Sequence, residues 1–149
     1  MSKIVTFDQA KRLKEFGYNR ECLYWYNENG VKECPIEQGY MEYYYEVDCF
    51  LNDWNAKKIS RDLYGSYPPI ESCSAPTLFE ALDWIREEKE IACGVGLNVN
   101  SDNRFLGNYI YEYVIDNNRV KGCSGFDTHP LAESALLDAV LTYLEEKKL

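Results

Sequence analysis

The stretch Ile91-Ala92-Cys93-Gly94-Val95-Gly96-Leu97-Asn98-Val99 decides the fold. Ile91, Cys93, Val95, Leu97 and Val99 are apolar, and the residues between them are small or carry an amide. Strict alternation is the signature of a β-strand, whose successive side chains leave opposite faces. Next along the chain, Ser101-Asp102-Asn103 makes a turn, and Tyr109, Tyr111, Tyr113 and Ile115 share one face of a returning strand. If the two strands pair, the tyrosine rings are expected to lie over Gly94 and Gly96 and shield bare backbone, as aromatic rescue does. Gly94-x-Gly96 is no phosphate loop, because no third glycine opens a helix after it. Asp116-Asn117-Asn118 closes the returning strand, and Gly122-Cys123-Ser124-Gly125 reads as loop.

Helices flank this pair. Thr77 and Glu80 form a capping box that opens a helix through Leu78, Ala81, Leu82 and Ile85 to about Lys89. A later helix begins near Thr128 to Pro130, with Ala132, Leu136, Val140 and Leu144 as a stripe widened by Ala135, Ala139 and Leu141. At the other end of the chain, Thr6 and Gln9 form a second capping box, Phe7, Ala10, Leu13 and Phe16 share a side, and Gly17 is the stop. Cys22-Leu23-Tyr24-Trp25-Tyr26, the Asn29-Gly30 turn signal and Val31 to Cys34 read as a hairpin. Met41, Tyr43, Tyr45, Val47 and Cys49 alternate with Glu42, Tyr44, Glu46 and Asp48, giving a strand with one buried and one wet face. From Leu51 to Pro76 the periodicity fails, and Gly65, Pro68, Pro69 and Pro76 mark either a functional loop or a segment hiding a short helical turn around 57–64. The expectation is a single α+β domain over residues 1–149. Its antiparallel sheet of about five strands is packed by three helices, in the order αβββαββα.

The 149 residues carry 25 Asp and Glu against 16 Lys and Arg, a net charge of −9, and each third of the chain is at −3. Evenly spread acidity favours solubility over a steering patch, and a pI near 4.7 argues against direct nucleic-acid binding, which depends on Lys and Arg neutralising phosphates. No run approaches the ~18 consecutive apolar residues of a membrane span, and Met1-Ser2-Lys3-Ile4-Val5-Thr6 lacks the apolar core of a secretory signal, so a cytoplasmic protein is expected. Cysteines at 22, 34, 49, 73, 93 and 123 form no C-x-x-C pair, and the one histidine cannot complete a Cys/His zinc site. They read as small hydrophobes kept reduced.

Three segments carry a resemblance. Val5-Thr6-Phe7-Asp8-Gln9-Ala10-Lys11-Arg12-Leu13-Lys14-Glu15-Phe16-Gly17, Ser74-Ala75-Pro76-Thr77-Leu78-Phe79-Glu80-Ala81-Leu82-Asp83-Trp84-Ile85-Arg86-Glu87 and Ala132-Glu133-Ser134-Ala135-Leu136-Leu137-Asp138-Ala139 resemble small uncharacterised proteins of Bacteroidetes bacteria and their phages. The resemblance implies a gut-type anaerobe or its prophage as the source, a cytoplasmic protein and an α+β domain. It brings no activity and no catalytic residue. Residues 37–49 and 51–72 depart most from its pattern.

Cys123, Asp127 and His129 fall within seven residues, but nucleophile and base normally converge from distant segments, and His129 beside Pro130 reads as a helix start. Glu42, Glu46 and Asp48, with Glu112 and Asp116, contain the ingredients of a divalent-metal or glycosidase site, and also those of a solvated strand face, which is the preferred reading. No catalytic, cofactor-binding or metal-binding residue is assigned, and no cofactor is expected. The aromatic runs are the distinctive feature. Most are expected to pack between strands, while Trp25, Tyr44, Trp54, Tyr64 and Tyr67 are expected to be exposed as an interaction surface. The favoured reading is a non-catalytic interaction module whose partner is another protein. The alternatives are a DNA mimic that inhibits a nucleic-acid-binding protein and a weak hydrolase. Pairing of an edge strand between two chains is left open.

Overall fold

The computed structural model describes residues 3–27, 30–33, 58–59, 70–71 and 73–148. Among these, three α-helices alternate with strands that pair antiparallel throughout, an α+β arrangement. In place of one sheet of about five strands, the described strands form three separate sheets, because the chain divides into two compact units, Ile4–Pro76 and Met1–Lys3 with Thr77–Leu149. The expected strand at 41–49 lies outside the described residues.

In the Ile4–Pro76 unit, helix α1 (Phe7–Glu15) opens on the expected capping box. The Thr6 hydroxyl accepts the Gln9 amide, and the Gln9 side chain accepts the Thr6 amide at 2.9 Å. It ends in a Schellman motif, in which Tyr18 N–H donates to the Leu13 carbonyl and Gly17 N–H to that of Lys14, with Gly17 at φ +90°. Strands β1 (Tyr24–Asn27) and β2 (Gly30–Glu33) form the expected hairpin, and β5 (Cys73–Ser74) pairs on the other side of β1. Strands β3 (Lys58–Ile59) and β4 (Ile70–Glu71) make a short ladder, so residues 58–59 are extended where a helical turn was expected. Ala10, Leu13, Tyr18, Cys22, Trp25 and Ala75 are buried here.

The unit that follows Pro76 runs α–β–β–β–α. Helix α2 (Leu78–Glu88) starts at Thr77, whose hydroxyl accepts the Glu80 amide while Glu80 Oε2 accepts the Thr77 amide. Strands β6 (Cys93–Val99), β7 (Phe105–Ile115) and β8 (Arg119–Phe126) form a sheet in chain order, and helix α3 (His129–Lys148) packs against it and against α2. The core lies on that one side: Ala81, Leu82, Ile85, Leu136, Leu137, Val140 and Leu141 are buried. Each fully enclosed aliphatic side chain among them contributes roughly 1.5–3 kcal/mol of transfer free energy.

Residues 122–125, expected as a loop, belong to β8. Gly125, at φ +98°, is the extra residue of a bulge between the pairs Tyr109↔Phe126 and Ile110↔Ser124. Were residue 125 paired with Tyr109 in regular register, Phe126 would fall opposite Asn108 on the other face. With the bulge, the Phe126 ring stands 5.5 Å from that of Tyr111. A second irregularity, at Gly107 with φ +85°, sets three residues of β7 against Asn98 of β6.

Candidate functional site

Residues directly opposite each other in an antiparallel ladder share a face. Cys93, Val95 and Leu97 stand opposite Tyr113, Tyr111 and Tyr109, while Gly94 and Gly96 stand opposite Glu112 and Ile110. On the far side Cys123 and Lys121 oppose Tyr111 and Tyr113, and Gly122 and Val120 oppose Glu112 and Val114. The register therefore corrects the expected stacking of tyrosines over glycines. The tyrosines face the helices, and Gly94, Gly96 and Gly122 face the other way.

The tyrosine face carries two groups of ring contacts, one around Tyr109 and one around Tyr111 and Tyr113. Tyr109 touches Phe105 and His129 at 5.9 and 5.8 Å, Tyr111 touches Tyr113 at 6.3 Å, and Tyr113 meets Tyr143 of α3 at 6.4 Å. Burial pushes the Tyr111 and Tyr113 hydroxyls above their ordinary range, with Cys123 adding to the shift at Tyr111 and Glu146 at Tyr113. Both rings are therefore neutral packing elements at physiological pH.

Neither helix of this unit covers the opposite face. Gly94 and Gly96 leave a shallow trough of about 470 Å³ whose lining includes Ile110, Glu112, Val114 and Val120. A Cβ added at Gly94 or Gly96 would meet nothing within 4 Å, and Val120 is 61% exposed. Glu112 is the one acidic side chain in that lining. The face is therefore an apolar strip with a single carboxylate near its middle.

The other candidate chemistry does not assemble. His129 Nδ1 lies 3.1 Å from Glu133 Oε1 one turn along α3, so its carboxylate neighbour is Glu133 and not Asp127. Cys123 Sγ contacts the Ser124 carbonyl at 3.7 Å and shares no hydrogen bond with His129. Glu112 lies on the bare face, whereas Asp116 sits at the β7–β8 turn, 3.0 Å from Lys147 Nζ, and its amide donates to the Tyr143 hydroxyl. Lys147 and Tyr143 hold the Asp116 carboxyl below its usual range, and Asp116 raises Lys147 in turn. Burial raises the Cys93 thiol against the opposing pull of Arg86, whose guanidinium donates to the Cys93 carbonyl at 3.2 Å. Among the described residues no group of three His, Cys, Asp or Glu side chains is placed to hold a metal ion, and no helix is long and apolar enough to cross a membrane. Glu42, Glu46 and Asp48 lie outside the described residues.

Of the five aromatic residues expected at the surface, Tyr44, Trp54, Tyr64 and Tyr67 lie outside the described residues. Trp25 is a correction. It is 8% exposed and belongs to the core of its unit, on β1, the central strand of β2-β1-β5. On the side away from Trp25, the Tyr26 hydroxyl donates to the Val5 carbonyl at 2.8 Å and the Tyr26 ring meets Phe7 at 5.3 Å. Ile110, Val114 and Val120 were missed as surface candidates. The available signal was that Ile110, Glu112 and Val114 interleave with the tyrosines, leaving β7 apolar on both faces apart from one carboxylate. No family model, curated protein or solved structure matches the chain.

Proposed function

We propose that the protein is a non-catalytic interaction module that receives an apolar segment of another protein on the glycine face of its β6-β7-β8 sheet. The observation that carries the reading is the trough over Gly94 and Gly96, flanked by Ile110, Val114 and the exposed Val120, on a sheet side that neither helix of this unit covers. An exposed apolar surface rimmed by polar residues costs solubility and marks contact sites. The central Glu112 favours a segment with one Lys or Arg among apolar residues, since a desolvated carboxylate requires a partner.

A photo-crosslinking residue at Ile110, on the same face as Val120, is expected to trap one partner in source cells, and the same residue at exposed Glu88 on α2 is not. Val120→Arg, with circular dichroism unchanged, is expected to abolish that adduct. Equal adducts at both sites, or a partner that survives Val120→Arg, would remove the reading. The complex is expected to persist at high salt, because its contact is apolar. A complex lost steeply between low and high ionic strength would instead favour the DNA-mimic alternative.

A further inference from the structure

The outer edge of β6 supports an inference separate from the glycine face. Val114 N–H donates to the Ala92 carbonyl at 2.9 Å, and Gly94 and Gly96 lie two and four residues further along the same ladder. Because hydrogen bonding in an antiparallel ladder alternates, Ala92, Gly94 and Gly96 direct their backbone groups inward to β7, and Cys93, Val95 and Leu97 direct theirs outward. The turn bond from Asn100 N–H to the Arg104 carbonyl sets Val99 outward as well. Among the described residues no strand pairs with this edge, and Arg86 occupies the Cys93 carbonyl, so the open run there is Val95 to Val99, centred on Leu97.

β6 carries none of the devices that keep edges apart. It has no proline and no charge, and both irregularities of the sheet lie in the other two strands. Leu97 and Val99 are exposed, with Phe105 exposed beside them. By contrast the other edge, β8, bears Arg119 and Lys121.

We infer that β6 pairs antiparallel with β6 of a second copy of this chain about a two-fold axis at Leu97, joining two three-stranded sheets into one. This register sets Leu97 opposite Leu97 and Val95 opposite Val99, so apolar side chains meet on one face and all outward backbone groups from Val95 to Val99 find partners. It leaves the Arg86-capped Cys93 carbonyl outside the ladder. Two copies of a −9 chain repel at long range, so the uncharged strip of β6 is the contact through which they can meet.

Sedimentation of the intact chain from about 10 μM to about 1 mM is expected to show a monomer–dimer equilibrium that tightens with salt, as screening removes the repulsion. In a Cys123→Ser background, Leu97→Cys is expected to form a covalent dimer under mild oxidation. Its Cα atoms stand about 5.5 Å apart in this register, within the disulfide range. Val99→Cys, displaced from the axis, is not expected to form one. Leu97→Pro removes only an outward N–H and is expected to be monomeric with its β signal retained. Should that variant unfold, Leu97→Lys, which sets like charges on the axis, is expected to abolish the dimer while leaving the melt unchanged. A monomer throughout the range, equal cross-linking at 97 and 99, or a dimer untouched by both Leu97→Pro and Leu97→Lys would overturn the inference. Val120→Arg is expected to leave the dimer intact, which separates failure here from failure of the glycine-face reading.

Discussion

The two faces of the β6-β7-β8 sheet are built from the same three strands and have opposite characters. One buries Tyr113 under α3 and packs its rings together, while the other exposes Val120 and leaves open space where a Cβ at Gly94 or Gly96 would stand. The covered side therefore holds this unit together. In a two-layer α+β arrangement the helices bury one face of the sheet only.

The largest contrast is expected between a core and a face substitution. Leu137→Ala on α3, fully buried, should cost about 2–5 kcal/mol in denaturant unfolding, whereas Val120→Ala should stay within about 0.5 kcal/mol. Equal losses would show that the second face is also covered. A smaller contrast separates the glycines. An added Cβ at Gly122 would stand 2.6 Å from the Tyr111 carbonyl oxygen, so Gly122→Ala should cost about 1–3 kcal/mol, while Gly96→Ala meets open space and should be neutral or add up to about 1 kcal/mol. The smallest effect belongs to the exposed Asp116–Lys147 pair. Asp116 is depressed, so its contribution is present above the ordinary carboxylate pKa and is lost as pH falls through the lowered value. Lys147 is raised, so its contribution is lost as pH rises through the elevated value. Asp116→Asn should lower the Tm slightly at neutral pH, and the gap between the thermal melts of the two proteins should shrink as pH falls through the lowered value. A difference that persists in acid would assign the effect to the turn and not to charge.

What was legible in the sequence was local. Thr6 with Gln9 and Thr77 with Glu80 form their boxes because both partners lie within one helical turn, and the alternation from Ile91 to Val99 gave β6 and its pairing with β7. What was not legible depended on register. Gly122 and Gly125 read as loop because the strand they belong to is solvent-facing and carries its signal in a bulge, not in alternation. Alternation likewise put Trp25 and Tyr26 on opposite sides of β1 but gave no sign that Trp25 is on the buried one.

The bulge at Gly125 also constrains how this gene can change length. A strand keeps its side-chain parity only if residues are gained or lost in pairs. The irregularity at Gly107 adds two residues to β7 and leaves Phe105 and Tyr109 in phase, whereas that at Gly125 adds one and sets the phase of Phe126. Loss of the extra residue 125 would leave Phe126 next to Ser124 and still opposite Tyr109, whereas a single-codon deletion elsewhere between Tyr109 and Ser124 would put one stretch of the ladder out of phase with its partner. Deletions within the Ser101–Arg104 turn fall where no strand phase is counted. Natural length variants should accordingly collect at that turn or at the bulge and spare the segment from Tyr109 to Ser124.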